Sequence, residues 1–331
     1  MAATEQPTRP QNGEGVFPYL TAAAAALILV LAVSILLVVL WGAWPAWQAF
    51  GPNFLISSVW DPVQNLYGAI PAVFGTLLTS LLALALAGPL GVGTAIFLSE
   101  LAPPWLKKPA SFTVELLAAV PSVVFGLWGL FVLAPWFRVG PGQFLENNLG
   151  FLPLFQGPSL GIGVLPAGLV LAMMILPTIT AVSREVIRAV PLELREAMFA
   201  LGSTRWEMIA KVVLPTSKVG ITGALLLGLG RSVGEAIAVT MVIGNANIIP
   251  ASLLAPAQTI ASLIVNEFPE AFDLQLSALL LLGLLLFVIT LAVNMMAVWL
   301  VHRTVQGIPV TREKQNGGKK RLLRRVSGNG Q

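Results

Sequence analysis

EAMFALGSTRWEMIAKVVLP, at residues 196–215, is a polar stretch set between two long apolar segments. A helix-forming run at 192–201 meets Gly202, and a second helix start follows at Thr204. Glu207 lies three residues after Thr204, which is the capping-box pattern. The proline that closes the stretch is predicted to end this second helix, because proline cannot continue one. The stretch therefore predicts a small helix-turn-helix outside a membrane, with a shape that another protein can hold.

The composition is that of an integral membrane protein. Of 331 residues, 56% are hydrophobic and only 10% are charged, whereas soluble domains carry about 25% charged residues. The chain has no cysteine and one histidine. We therefore expect no disulfide, no metal site, no cofactor and no histidine-based catalytic centre.

Six apolar segments are each long enough to cross a hydrocarbon core of about 30 Å as a helix. They lie at approximately 20–44, 68–98, 110–137, 160–182, 219–244 and 276–301. Pro89, Pro121 and Pro177 fall within them, and we expect kinks or short re-entrant pieces there. The predicted fold class is all-α, an integral membrane protein with six transmembrane helices.

The basic residues set the expected orientation. With the N-terminus inside, all of the 19 Lys and Arg lie in inner segments except Arg138 and Arg231. This pattern satisfies the positive-inside rule. We therefore expect both termini in the cytoplasm, and basic residues that meet membrane lipid rather than nucleic acid.

The chain divides into four predicted parts. Residues 1–18 are predicted to be a mobile cytoplasmic N-terminus, and residues 19–67 the first transmembrane helix with its outer loop. Residues 68–301 form a predicted core of five spans that contains the stretch at 196–215. Residues 302–331 are a basic cytoplasmic tail, predicted to contact anionic lipid, with a regulatory contact as the alternative.

A short outer helix is predicted within the core. Residues 257–268 read AQTIASLIVNEF and carry apolar residues at helical spacing. Two interpretations stay open for this helix. It either packs on neighbouring spans as part of a loop, or belongs to a docking surface for an extracytoplasmic partner.

Two charges fall near the middle of the fifth apolar segment. Arg231 and Glu235 are four residues apart, so one continuous helix would place them on the same face, where they can pair. Gly230 and Gly234 have the spacing that lets helices approach closely. Charges inside a membrane are usually functional, and a guanidinium suits oxyanions. We expect Arg231, held by Glu235, to face a pathway for an anion; the alternative is an ion pair that only sets helix register.

Residues 196–215 stand in the register of the EAA loop of ABC importer permeases. In that loop an E-A-A triplet is followed, at fixed spacing, by Gly and by I-x-L-P. Met198 replaces the second Ala and Val212 replaces the Ile, and both departures are mild. The matching residues are Glu196, Ala197, Gly202, Leu214 and Pro215.

Three further stretches resemble the first permease subunit of the phosphate-specific (Pst) ABC importer, within the type I, MetI-like permeases. They are ELLAAVPSVVFGLWGLFVLAP at 115–135, GLGRSVGEAIAVTMVIGN at 228–245 and NEFPEA at 266–271. The resemblance implies a five-helix core with one extra N-terminal helix, in the bacterial inner membrane. It implies a second homologous permease subunit as heterodimer partner, two ATP-binding subunits and a periplasmic phosphate-binding protein. It assigns the EAA residues to ATPase coupling, and Arg231 and Glu235 to phosphate passage.

The sequence contains no G-x-x-x-x-G-K-[ST] loop. The chain is therefore predicted to be a non-catalytic subunit that takes its energy from an ATPase. Arg231 by itself does not separate one oxyanion from another, so a permease for sulfate, molybdate or phosphonate stays open as the alternative. An ion-coupled secondary transporter is less favoured, and no nucleophile–base constellation supports a membrane enzyme.

Overall fold

A computed structural model describes residues 17–305. The described chain is helical almost throughout, with two isolated bridges and no β-strand. The predictions of a mobile N-terminus at 1–18 and a lipid-binding tail at 302–331 lie outside the described residues, except that residues 17–18 and 302–305 belong to helices.

Six helices of the described chain are long and apolar enough to cross a membrane, as predicted. We call them spans one to six in chain order. Their bounds are Phe17–Phe50, Ile70–Leu101, Ser122–Leu149, Val164–Arg188, Arg205–Val233 and Asp273–Met296. The helix of span six continues to Val305.

Span four is the central helix of the bundle. In an apolar stretch of 18 residues within this span, 67% of the residues are buried, whereas the corresponding fraction is 33% or less in the other spans. Ile175 and Ile179 are fully buried against span two, where Ala83 faces them in the same cluster. A Cβ at Gly91 would lie 2.9 Å from Ile179 Cγ2. Small residues on span two therefore let the two helices pack closely.

Pro121 disrupts the predicted third segment, as expected. The chain there forms the helix Pro104–Ala119 and, after an extended Val120, a second helical stretch that begins at Ser122 and turns at Gly140 into a further helix, Pro141–Leu149. A residue that precedes proline is driven out of the helical region by the proline ring. Pro89 and Pro177 instead lie inside continuous helices.

The prediction that a helix ends at Leu214–Pro215 is wrong. The chain runs from an α-helical turn, Arg205–Met208, through a π-helical turn, Ile209–Val213, into the α-helix Leu214–Val233. Pro215 lies in the first turn of that last part. The extra residue of the π turn shifts the carbonyls that the proline ring would otherwise meet, so the helix continues.

The short helix predicted within 257–268 is confirmed at Ile260–Glu267, and its place on the outer side stays a prediction. Thr259 caps it in a capping box with Ser262. The Ile260 N–H donates to Thr76 Oγ1 of span two over 2.9 Å, and Ile260 itself is fully buried. A Cβ at Gly75 would collide with the backbone of the residue before Thr259. The helix is therefore packed into the bundle at its first turn, while docking by its exposed end stays a hypothesis.

Candidate functional site

The helix-turn-helix predicted from the opening stretch is present. Helix Leu192–Ala200 is followed by Gly202 at a φ of 79°, the left-handed region that favours glycine. Thr204 Oγ1 then accepts from the Glu207 N–H over 3.3 Å, and the Thr204 N–H donates to Glu207 Oε2 over 3.0 Å. The predicted capping box is confirmed. We call Leu192–Val213 the hairpin.

One side of the hairpin is packed and the other is open. Met208, Ile209 and Val213 are buried in a cluster with Ile187 and Val190 at the end of span four. On the open side, large apolar side chains stand exposed among polar ones, which is typical of a surface that contacts another protein. These exposed side chains are Leu192, Leu194, Phe199, Leu201 and Trp206.

The residues assigned to the EAA loop lie mostly on the open side. Glu196, Ala197 and Gly202 are exposed, as is Pro215, whereas Leu214 is partly buried. The first three are therefore available to a partner, while Leu214 contributes to the packing of the hairpin on the spans.

Two ion pairs at the hairpin end of the bundle were not predicted from the sequence. Arg184 Nη2 lies 2.9 Å from Glu115 Oε1, and the Arg184 side chain is only 7% exposed. Arg195 Nη2 of the hairpin lies 3.1 Å from Glu100 Oε1. The available signal was weak, because each pairing joins segments far apart in the chain and several other charges lie near each partner in the sequence.

The expected pair of Arg231 with Glu235 does not form. Arg231 is exposed and donates from Nη1 to Thr178 Oγ1 of span four over 3.1 Å. Glu235 Oε1 instead accepts from the Ala238 N–H over 3.3 Å, in the first turn of the short helix Ile237–Val242. The helix of span five ends at Val233. The rotation that places residues i and i+4 on one face is therefore lost between the two charges.

The expected crowding at Gly230 and Gly234 is also wrong. The nearest atom to a Cβ at Gly230 is Asn294 Oδ1 at 3.9 Å, whereas a Cβ at Gly228 would lie 2.8 Å from Ile179 Cδ1. The close helix contact thus falls at Gly228, and Arg231 lies on an open face. A charge on an open face within a membrane needs a polar pathway or a partner beside it.

Among residues 17–305, no group of three or more His, Asp or Glu side chains could hold a metal ion. The described site residues offer a cation on an open face, Arg231, and a hairpin with exposed apolar side chains at the start of the same span.

The fold is that of an ABC transporter permease. The chain superposes on the MetNI methionine ABC transporter in an inward-facing conformation with a TM-score of 0.56 and 19% identity, covering 74% of this chain and 99% of that one. It superposes on a bacterial alginate ABC transporter, solved with its alginate pentasaccharide-bound periplasmic protein, with a TM-score of 0.57 and 18% identity. That match covers 86% of this chain and 94% of the other. The predicted all-α, MetI-like fold is confirmed.

The family follows from the sequence. Residues 87–306 match the model of the binding-protein-dependent transport system inner membrane component family, and the chain belongs to this family.

Similar proteins include the phosphate transport system permease protein PstC of Haemophilus influenzae, 46% identical over 88% of this chain and 94% of its own length. That of Pasteurella multocida is 47% identical over 88% and 92%. A probable one from Methanocaldococcus jannaschii is 35% identical over 87% and 93%. These similarities confirm the resemblance found in the sequence.

Proposed function

We propose that this protein is a transmembrane permease subunit of an ATP-driven phosphate importer. The observation that carries the proposal is similarity along nearly the whole chain to proteins named phosphate transport system permease. The subunit forms one half of the translocation pathway and is multi-pass in the inner membrane, with both termini in the cytoplasm. Its geometry supports a division into a pathway residue in span five and a coupling device at the inner end of that span.

Arg231 is the pathway residue in this proposal. Its guanidinium offers five N–H donors, and within the described chain one hydrogen bond, to Thr178, fixes its position. The remaining donors suit the paired oxygens of a phosphate ion. Glu235 does not hold Arg231 in this proposal. Its carboxylate accepts from the Ala238 N–H in the first turn of the helix that follows the break. The Arg231 guanidinium is therefore not neutralised by Glu235 and keeps its charge for the anion.

A second, homologous permease subunit would cover the open face that carries Arg231 and complete the pathway between the two chains. This arrangement supplies the polar surroundings that a membrane-embedded guanidinium requires. A periplasmic phosphate-binding protein would deliver the ion from the outer side.

Energy enters through the hairpin. The chain has no ATP-binding loop of the G-x-x-x-x-G-K-[ST] type, so we propose that it is non-catalytic and binds one of two ATPase subunits. The ATPase meets the open side of the hairpin, where Glu196, Ala197 and Gly202 lie exposed. Because the second hairpin helix is the first part of span five, Arg205–Val233, a displacement of the hairpin reaches the helix that carries Arg231.

The experiment is uptake of radiolabelled phosphate by the complete importer in proteoliposomes, with the native chain and with Arg231→Gln. Loss of charge-assisted hydrogen bonds, each about 1.5–3 kcal/mol, should lower uptake by about tenfold or more. Arg138→Gln is the matched control, since Arg138 is an exposed arginine on the predicted outer side. It should transport normally.

Three outcomes would contradict the proposal. Native uptake by a correctly inserted Arg231→Gln variant would remove the pathway role. Stronger competition by sulfate, molybdate or a phosphonate than by unlabelled phosphate would change the cargo. Uptake that follows an imposed proton gradient and survives removal of ATP would point to a secondary transporter.

A further inference from the structure

One guanidinium joins the hairpin to two spans. Arg195 belongs to the first hairpin helix, and its Nη2 lies 3.1 Å from Glu100 Oε1. The same nitrogen donates to the backbone oxygen of Ile187 over 2.7 Å. Glu100 lies in the π-helical turn that closes span two, Phe97–Leu101, and Ile187 lies in the last turn of span four. Arg195 therefore contacts the hairpin's own segment and the inner ends of both spans at once.

The pair is shielded from solvent. The Glu100 side chain is 6% exposed and that of Arg195 is 17% exposed. By contrast, the nearby pair of Arg188 with Glu185 spans 3.6 Å, with side chains 46% and 63% exposed. An exposed pair contributes little, whereas a buried charge that loses its partner is strongly unfavourable. Glu100 and Arg195 therefore depend on each other in a way that Arg188 and Glu185 do not.

Within residues 17–305, the remaining contacts between the hairpin and spans two and four are apolar. Met208, Ile209 and Val213 pack against Ala95 of span two and Ile187 of span four. Apolar contacts have no preferred direction, and packed helices can slide past each other by small amounts. Arg195 adds two contacts of a different kind. Its hydrogen bond to Ile187 O is directional, and its ion pair with Glu100 requires opposite charges at a short distance. These two contacts fix the position of the hairpin relative to the spans.

We propose that Arg195 is a positioning residue that makes the hairpin, span two and span four move as one body. The proposal rests on the proposed coupling function of the hairpin and adds the residue through which that function acts. The exposed side of the first hairpin helix, which carries Glu196, engages the ATPase. Arg195, on the more buried side, transmits the displacement to the spans. The conformational change is a rigid-body rocking of the bundle between two orientations.

The test uses the complete importer in proteoliposomes and measures ATP hydrolysis and phosphate uptake in the same sample. The variants are Glu100→Gln, Arg195→Gln, Arg195→Lys and the double variant Glu100→Gln/Arg195→Gln. We expect both single glutamine variants to keep their ATPase subunits and to hydrolyse ATP, while phosphate transported per ATP falls by about tenfold, the scale of allosteric coupling between sites. Arg195→Lys should recover part of that ratio because it keeps the charge.

The double variant separates a positioning role from a requirement for folding. It buries no unpaired charge, so it should insert even if a single variant does not. It should still be uncoupled, because the joint is missing. Arg188→Gln is the matched control. It removes a positive charge from the exposed pair of Arg188 with Glu185 and should leave the amount of phosphate transported per ATP unchanged.

A native transport ratio in the double variant would overturn the proposal. So would a proportional fall of hydrolysis and uptake, or loss of the ATPase subunits from the purified complex, since either result would make the pair part of the docking surface or the core. If the native complex moves a different anion, the ratio is measured with that anion and the positioning role is still tested. If no ATPase binds the native chain, the proposed function itself fails.

Discussion

Arg231 Nη1 lies 3.1 Å from Thr178 Oγ1, so the charged side chain of span five is positioned by span four. Span four is the most buried helix of the described bundle, and it also carries Arg184, paired with Glu115. The central helix thus positions the proposed pathway arginine through Thr178 and carries a buried arginine, Arg184, that pairs with a largely exposed Glu115. Its Thr178 hydroxyl takes the place that the sequence assigned to Glu235.

Thr178→Val should lower phosphate uptake without preventing assembly. Valine keeps the shape of threonine and removes the acceptor that fixes Arg231. A hydrogen bond to a charged group contributes about 1.5–3 kcal/mol, and part of this is recovered by water, so we expect a fall of about fivefold in initial uptake rate. Thr222→Val is the matched control, because the Thr222 hydroxyl bonds only to Lys218 O of its own helix. Equal rates in the two variants would show that Thr178 does not position Arg231.

Gly202→Val should destabilise the hairpin through the backbone alone. A Cβ at Gly202 meets nothing within 4 Å, but the φ of 79° is unfavourable for a branched side chain. The left-handed conformation costs about 1–2 kcal/mol for a residue other than glycine, and asparagine tolerates it better than valine. We therefore expect thermal stability and ATPase binding to fall in the order native, Gly202→Asn, Gly202→Val.

The control for this series is Gly223→Ala. Gly223 also has open space around its Cβ but lies within the helix of span five at an ordinary φ. Alanine there should leave the unfolding temperature equal or slightly higher, because it is the better helix former. Indistinguishable behaviour of the asparagine and valine variants would argue against backbone strain as the cause.

Thr76→Val should loosen the outer helix Ile260–Glu267. It leaves the buried Ile260 N–H without its acceptor, at a cost of about 1–3 kcal/mol. Hydrogen exchange at the Ile260 amide should become markedly faster. Thr79→Val is the control, since the equally buried Thr79 hydroxyl bonds only to carbonyls of its own helix. Unchanged exchange at Ile260 in the Thr76 variant would contradict the assigned contact.

Tyr67 should make the outer loop sensitive to alkaline pH. Burial raises the pKa of Tyr67 above its ordinary value of 10.0, and the negative charges of Glu267 and Asp61 raise it further. The folded state therefore favours the protonated phenol. This contribution to stability is fully present below pH 10.0 and is lost as the pH rises through the folded pKa.

The measurement is the unfolding temperature of the native chain and of Tyr67→Phe, from neutral pH to above the ordinary tyrosine pKa. The native chain should lose stability relative to the phenylalanine variant only at the alkaline end. Tyr19→Phe is the control, because Tyr19 is 77% exposed whereas Tyr67 is 3% exposed and packs edge-on against Trp60. A constant difference between native and Tyr67→Phe across the range would show that Tyr67 ionisation does not matter.

Features that depend on neighbours in the chain could be predicted from the sequence. The six spans follow from the length of apolar runs, and the Thr204 cap follows from a spacing of three residues. Two predictions that rest on local rules are wrong, because the structure interrupts the regular α-helix at these places. Pro215 was expected to end a helix that a π turn allows to continue. Arg231 and Glu235 were expected to share a helix that ends between them.

By itself the sequence determined the class of protein, the number of spans and the position of the hairpin, because hydropathy, capping and family motifs are written in consecutive residues. Only the tertiary structure decided which charges meet. Glu115 forms an ion pair with Arg184, and Glu100 forms one with Arg195. The physical reason is that the partner of a buried charge is chosen by helix packing, which brings together residues from distant segments and rotates each helix to a definite face.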